Sequence, residues 1–338
     1  MFRKFFCVLL VLGLTSSFVY ADKALIARKD VQQFMDMMEK NHGFKKQELV
    51  AIFNDVKIQP AIIQSMDMPY EKKDWDTYRH IFLTPQRLQA GLEFWQANQK
   101  ALDQAEKIYH VPASIIVAIL GVETLYGEKQ GNYRVIDALS TLAFNYPKRS
   151  PYFTRELTEY LLLCREHRTN PNQYTGSYAG AIGKPQFMPS SYRSYAADFK
   201  SNNSIDLVHD DQAVIASIAN YFHRHGWIMN QGIVQPAKIT GKGITHFNTQ
   251  LKQAEYNTKQ LFQSGIQPIT AATNPPKKAG VIELSTKNGA EYWLAYHNFY
   301  VITRYNSSPQ YALVVYLLSQ QLNKERVAAL SRHAFAYS

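Results

Sequence analysis

The stretch "VPASIIVAILGVETLYG", residues 111–127, decides the architecture. Wound at 3.6 residues per turn, its apolar side chains fall on every face, which predicts a helix buried on all sides. Pro112 suits the first helical turn. Glu123 is the one charged residue in the stretch. On a helix it shares a face with Ile116, Ile119 and Leu120 at i−7, i−4 and i−3. Desolvation there disfavours the charged carboxylate. A carboxylic acid kept protonated near neutral pH is what general acid catalysis of glycoside cleavage needs. The alternative is a helix-end glutamate that faces solvent or pairs with an arginine.

Outward from this helix the pattern stays helical on both sides. "ARKDVQQFMDMMEKNHG" has helical spacing and stops at Asn41-His42-Gly43. "TPQRLQAGLEFWQANQKALDQAEKIYH" opens on a Thr84-Pro85 cap and reads as one long helix. "YFTRELTEYLLLCREH" and "DQAVIASIANYFHRHG" continue the series. After Trp227 short β-rich runs alternate with glycine and Asn-Gly turns, and the end returns to helix from "SPQYALVVYLL". The fold class is therefore α+β, mainly helical. The expected divisions are 22–110 helical, 111–227 core, 228–298 a small antiparallel β domain, and 299–338 a helical return to the groove.

Residues 1–21 read as a secretory signal peptide. Arg3 and Lys4 precede the apolar run Phe5–Leu14, and "VYA" offers a cleavage site before Asp22. Periplasmic export without a lipid anchor is expected, since Cys7 comes before most of the apolar run. Cys164 would then be the single remaining cysteine and read as a small buried residue, with no intrachain disulfide. Of 37 basic residues, Arg3 and Lys4 leave with the leader; 35 then stand against 27 acidic residues, a net charge of +8. That balance suits a polyanionic partner, and export argues against nucleic acid.

"GSYAGAIGKPQFMPSSY", residues 176–192, is a loop with prescribed backbone geometry. It carries Ser177, Tyr178 and Gln186, which can hydrogen-bond a polar ligand. A phosphate loop is disfavoured, because the stretch lacks G-K-[ST] and no strand is expected before it. No zinc set forms among His167, His209, His223 and His225.

With "GVETLYG", "ALSTLAFNYPKRSPYF", "NYFHRHGW" and "NFYVITRYNSSPQYA", this loop resembles the lytic murein transglycosylase B family, from about residue 30 to 320. The resemblance implies a lysozyme-like catalytic core with helical flanks and a small β domain. It implies cleavage of the β-1,4 bond between N-acetylmuramic acid and N-acetylglucosamine in peptidoglycan. In that reaction the muramyl C6 hydroxyl, not water, attacks C1 and leaves a 1,6-anhydro ring. Glu123 matches the family's single catalytic acid, which then acts as base. Tyr78, Ser177, Gln186, Tyr221, Tyr305, Asn306 and Tyr311 match groove positions, where the aromatics would stack on sugars and their hydroxyls bind polar edges. Glu128 and Asp137 follow the motif and are expected to be solvent-facing or structural.

Some family members carry a calcium loop after this segment. Here Asp198, Asn202 and Ser204 occupy positions 1, 5 and 7, but Lys200 stands at position 3 and Asn203 at the glycine position. Calcium is therefore disfavoured, and no other cofactor is implied. The expected partner is the peptidoglycan strand, with wall-synthesis proteins as further candidates and a monomeric state. A lysozyme-type hydrolase and a non-catalytic wall-binding scaffold are the competing functions.

Overall fold

The computed structural model describes residues 25–67, 73–200, 205–270 and 275–336. The expected leader, residues 1–21, lies outside them. The Ala113–Thr124 helix is the axis of the core: of its 12 residues every one except Glu123 is buried. Pro112 stands just before the helix, with ψ at 135°, so the first turn begins one residue later than its sequence suggests. The helix packs against the Pro85–Ala97 and Pro309–Ala336 helices.

The long helix expected from Thr84 is two helices, Pro85–Ala97 and Gln99–Tyr109. Its cap is as expected, with Thr84 Oγ1 accepting from the Arg87 N–H at 3.2 Å. The break is at Asn98, whose side-chain amide and backbone N–H both donate to the Phe94 carbonyl, at 3.1 and 3.0 Å. The side chain competes for the acceptor that a continuing helix uses. Elsewhere the pattern translates directly: Lys29–His42 ends on Gly43 at φ 68°, and Ser150–Glu166 and Asp211–Arg224 are single helices.

Two short strands, β1 (Tyr133–Arg134) and β2 (Thr175–Gly176), pair antiparallel and pin the start of the 176–192 loop. A second sheet holds β3 (Val234–Ile239), β4 (Tyr256–Asn257), β5 (Ile266–Pro268), β6 (Lys278–Thr286) and β7 (Gly289–Ala295). Its order is β4-β6-β7-β3-β5, and all its pairings are antiparallel. The β6–β7 hairpin closes on the pair Thr286↔Gly289, with Gly289 at φ 132°, a region that favours glycine. This sheet has its own small core around Leu261, Ile266, Val281 and Leu294. It joins the helical body through Trp75 Nε1, which donates to Glu291 Oε1 at 3.2 Å, and the Lys287 N–H, which donates to Asp76 Oδ2 at 3.0 Å. The His297–Tyr305 and Pro309–Ala336 helices then bring the chain back to the core.

Candidate active site

Glu123 sits where its helix is forced to stop. Leu125, Tyr126 and Gly127 follow at φ 51°, 61° and 97°, three consecutive left-handed residues. The two that are not glycine cost of order 1–3 kcal/mol each, so surrounding contacts must impose the turn. Several do. The Leu125 and Tyr126 N–H groups close the helix on the Gly121 and Leu120 carbonyls. Thr124 Oγ1 accepts from the Gly127 N–H at 3.0 Å and donates to the Lys184 carbonyl at 2.8 Å. The Tyr126 ring folds back beside Gly91 and Gly121. A Cβ at either glycine would stand 2.3 or 2.5 Å from the Tyr126 hydroxyl. That hydroxyl donates to the Arg87 carbonyl at 3.0 Å.

Arg87 completes the clamp from behind. Its guanidinium donates to the carbonyls of Gly121 (2.8 Å), Ile81 (2.9 Å) and Phe82 (2.7 Å). It thus meets the carbonyl-rich ends of two helices, where a cation is favourable. Sequence reasoning passed over Arg87, Thr124 and Tyr126 as a set. The available signal was the run T-L-Y-G directly after an acidic residue in an apolar helix, a helix end with no obvious stop residue before Gly127.

Ahead of this turn, Tyr311 Oη donates to Glu123 Oε1 at 2.6 Å, across 188 residues of sequence. Tyr311 is 3% exposed. Burial pushes its hydroxyl well above the ordinary value, and the Glu123 charge pushes it further, so it stays a donor at neutral pH. Tyr305 stacks on Tyr311 with ring centroids 6.5 Å apart, and it is raised by the same two causes in the same order. Tyr221 meets Tyr305 edge-on at 4.9 Å. Tyr78, 1% exposed, packs on Phe82 and lies within electrostatic reach of Tyr311. Four predicted tyrosines, Tyr78, Tyr221, Tyr305 and Tyr311, therefore cluster near the Glu123 carboxylate.

Three of the tyrosine hydroxyls donate within the protein. Tyr221 donates to the Arg304 carbonyl at 2.5 Å, and Tyr305 donates to the Pro185 carbonyl at 2.6 Å. With Tyr311 bound to Glu123, all three donors are committed within the protein and fix the cluster's shape. The loop residues behave similarly. Ser177 Oγ accepts from the Ala179 and Ala181 N–H groups at 3.2 and 3.0 Å. Gln186, left-handed at φ 53°, donates its amide to the Gln130 and Gly183 carbonyls at 3.0 and 2.9 Å. Asn306 Oδ1 accepts from the Ser308 N–H at 3.0 Å, at the start of the segment leading to Tyr311.

The other titratable candidates have structural surroundings. Asp137 is buried, accepts from the Lys57 N–H at 2.9 Å and is raised by burial; Glu128 is exposed. Cys164 is buried beside Tyr160, with its thiol pushed up to about 12 by burial. His223 bonds the Tyr109 carbonyl, and His225 bonds the Tyr221 carbonyl and stacks on the Tyr221 ring.

Of the calcium-loop candidates, Asn202 and Ser204 lie outside the described residues. Among the described residues, one buried carboxylate oxygen of Asp198 has no hydrogen-bond partner, which a cation would suit. The carboxylates that follow are occupied: Asp206 by the Val208 and His209 N–H groups, Asp210 as the cap of the Asp211–Arg224 helix, and Asp211 by Lys184 at 2.5 Å. The described residues do not fit an EF-hand donor set.

Comparison with known proteins places this geometry. Residues 27–320 match the family model described as the transglycosylase SLT domain. The chain belongs to this lytic transglycosylase family. The transglycosylase is 38% identical over 309 residues to the membrane-bound lytic murein transglycosylase B of Escherichia coli, covering 88% of this chain and 84% of that one. Among solved structures it is similar to the soluble lytic transglycosylase SltB1 of Pseudomonas aeruginosa, at 40% identity and TM-score 0.81, covering 88% and 99% of the two chains. It is also similar to SltB3 of Pseudomonas aeruginosa in complex with NAG-NAM-pentapeptide, at 26% identity and TM-score 0.74, covering 88% and 80%. The lysozyme-like, mainly helical fold read from the motifs is the fold of these relatives.

Proposed function

We propose that this transglycosylase cleaves the β-1,4 bond between N-acetylmuramic acid and N-acetylglucosamine in peptidoglycan strands, with Glu123 as acid and then base. Glu123 gives its proton to the bridging oxygen as the C1–O bond breaks. The oxocarbenium-like centre at C1 is stabilised by the sugar's own N-acetyl group. The Glu123 carboxylate then takes the proton of the muramyl C6 hydroxyl, and the C6 oxygen bonds to C1. The product is a 1,6-anhydro ring, and Glu123 is protonated again for the next cycle.

The observation that carries this reading is the Tyr311–Glu123 hydrogen bond of 2.6 Å at the end of a buried helix. It holds the carboxyl in one rotamer, and the buried, mutually packed tyrosines fix that geometry. The SltB3 complex, which holds a disaccharide with a pentapeptide, supports strands bearing peptide stems as the substrate. The reading includes action in the periplasm after export through residues 1–21, as a monomer without a metal cofactor.

The test is mass spectrometry of products released from purified peptidoglycan. Anhydro-muropeptides, lighter by one water than hydrolytic products, are expected. Reducing-end products would make the enzyme a lysozyme-type hydrolase. No product, with strand binding intact, would make it a wall-binding scaffold.

A further inference from the structure

The turn that ends the Ala113–Thr124 helix and the cluster of tyrosines come from distant parts of the chain, and one lysine touches both. Lys184 lies in the 176–192 loop with its side chain 15% exposed. Its ammonium donates to Asp211 Oδ1 at 2.5 Å, on the first residue of the Asp211–Arg224 helix that carries Tyr221. Its aliphatic stem lies on Gly127, the last of the three left-handed residues after Glu123. A Cβ at Gly127 would stand 2.9 Å from both Cδ and Cε of Lys184.

The backbone around Lys184 reaches the same elements. Its carbonyl accepts from Thr124 Oγ1 at 2.8 Å, and Thr124 is the residue next to Glu123. Its N–H donates to the Leu207 carbonyl at 2.8 Å. The next carbonyl, that of Pro185, accepts from Tyr305 Oη at 2.6 Å. Gly183, just before, is left-handed at φ 72°, and a Cβ there would stand 2.3 Å from the Leu207 carbonyl oxygen. Three consecutive residues therefore meet the end of the catalytic helix, the segment entering the Tyr221 helix, and Tyr305.

The loop is rich in glycine, so it has few side chains of its own to hold its position. The ion pair supplies that hold. Asp211 is rooted in a helix start, where a carboxylate is favourable, and the Lys184 ammonium is largely withdrawn from water. A pair so placed is stronger and less screened than one on the open surface. Small displacements matter here, because a shift of about 1 Å at a reacting group costs on the order of a hundredfold in rate.

We propose that Lys184 is a positioning residue for the proton transfers of Glu123, an inference that rests on the catalytic reading above. Its ion pair with Asp211 fixes the 183–185 segment. Through Thr124 and Tyr305 that segment then sets the carboxylate and the tyrosines in register. Lys184 acts through these groups and transfers no proton itself.

The test starts from Lys184→Met, which keeps a stem on Gly127 and removes the charge. The kcat for anhydro-muropeptide formation is expected to fall about tenfold, with KM within about twofold of wild type. Asp211→Asn is expected to give the same loss, and the double variant no more than either alone, because both changes break one pair. Additive losses, a loss carried by KM, or wild-type kcat in both single variants overturns the proposal. A second measurement, peptide-resolved hydrogen exchange, needs no turnover. Lys184→Met is expected to speed exchange several-fold in the peptide spanning residues 121–130 and to leave the β domain unchanged. That local change supports the positioning role even if wild type forms no anhydro product, which is the outcome that sinks the catalytic reading. Unchanged exchange at 121–130, or faster exchange throughout the molecule, counts against it.

Discussion

The surroundings of Glu123 and the β domain are built on opposite principles. Behind Glu123, the Ala113–Thr124 helix, Arg87 and Tyr126 leave almost nothing adjustable: eleven of the helix's twelve residues are buried, and glycines admit the Tyr126 ring where a Cβ would collide. The β domain, by contrast, has a small core of its own and a strand edge partly unpaired among the described residues, and the cleft beside that edge is lined by both cations and carboxylates. The contrast follows from the chemistry. Moving a proton to one oxygen needs a carboxyl fixed to a fraction of an ångström.

The sharpest way to break the contrast is to loosen the rigid side. Tyr311→Phe removes the donor to Glu123 while keeping the stacked ring. The expected loss is about tenfold to a hundredfold in kcat, with KM little changed, read from steady-state kinetics on solubilised strands. A loss confined to KM would mean that Tyr311 binds sugar rather than positions the carboxyl.

Gly121→Ala tests the packing behind the turn. Its Cβ would meet Tyr126 Oη at 2.5 Å and Cζ at 2.8 Å. We expect a loss of roughly 1–3 kcal/mol in denaturant unfolding, together with lower activity as Tyr126 is displaced. The matching change at Gly43, where no atom lies within 4 Å of an added Cβ, meets only the strain of φ 68° and is expected to leave activity intact.

A smaller effect is expected from pH. Burial holds His225 below its ordinary value of 6.5, so the folded state binds its proton less readily than the unfolded state. The stability this contributes is complete above pH 6.5 and is lost as pH falls through that value. His225→Gln should flatten the fall in melting temperature between about pH 7 and 5. An unchanged slope would assign the fall to other groups, His167 first, which burial lowers in the same direction.

The smallest effect expected is that of calcium. With Lys200 at a ligand position and Asp206, Asp210 and Asp211 occupied, millimolar calcium should leave the melting temperature unchanged. A rise would show that Asp198 and the neighbouring segment do bind the ion.

What was legible in the sequence follows the same division. The all-round apolar pattern of 111–127 dictates a buried helix and leaves one carboxylate to explain, and the Thr84 cap and the β6–β7 turn are local chemistry that a short window contains. The motifs also named four tyrosines that the fold packs together near Glu123. Their hydroxyl partners were not legible, because the Arg304 and Pro185 carbonyls and the Glu123 carboxylate come from elsewhere in the chain. The helix break at Asn98 was missed because it turns on one side-chain rotamer. The Lys184–Asp211 pair was invisible for a plainer reason: its partners belong to separate segments that only the tertiary fold assembles.

The most direct test of the central claim is Glu123→Gln, assayed for anhydro-muropeptide formation and, in parallel, for binding to intact strands. The substitution keeps the size of the side chain and its bond from Tyr311 but removes the transferable proton. The account predicts no detectable anhydro product with strand affinity within about twofold of wild type. Anhydro product formed at near wild-type rate would contradict it, and would place the acid on another residue.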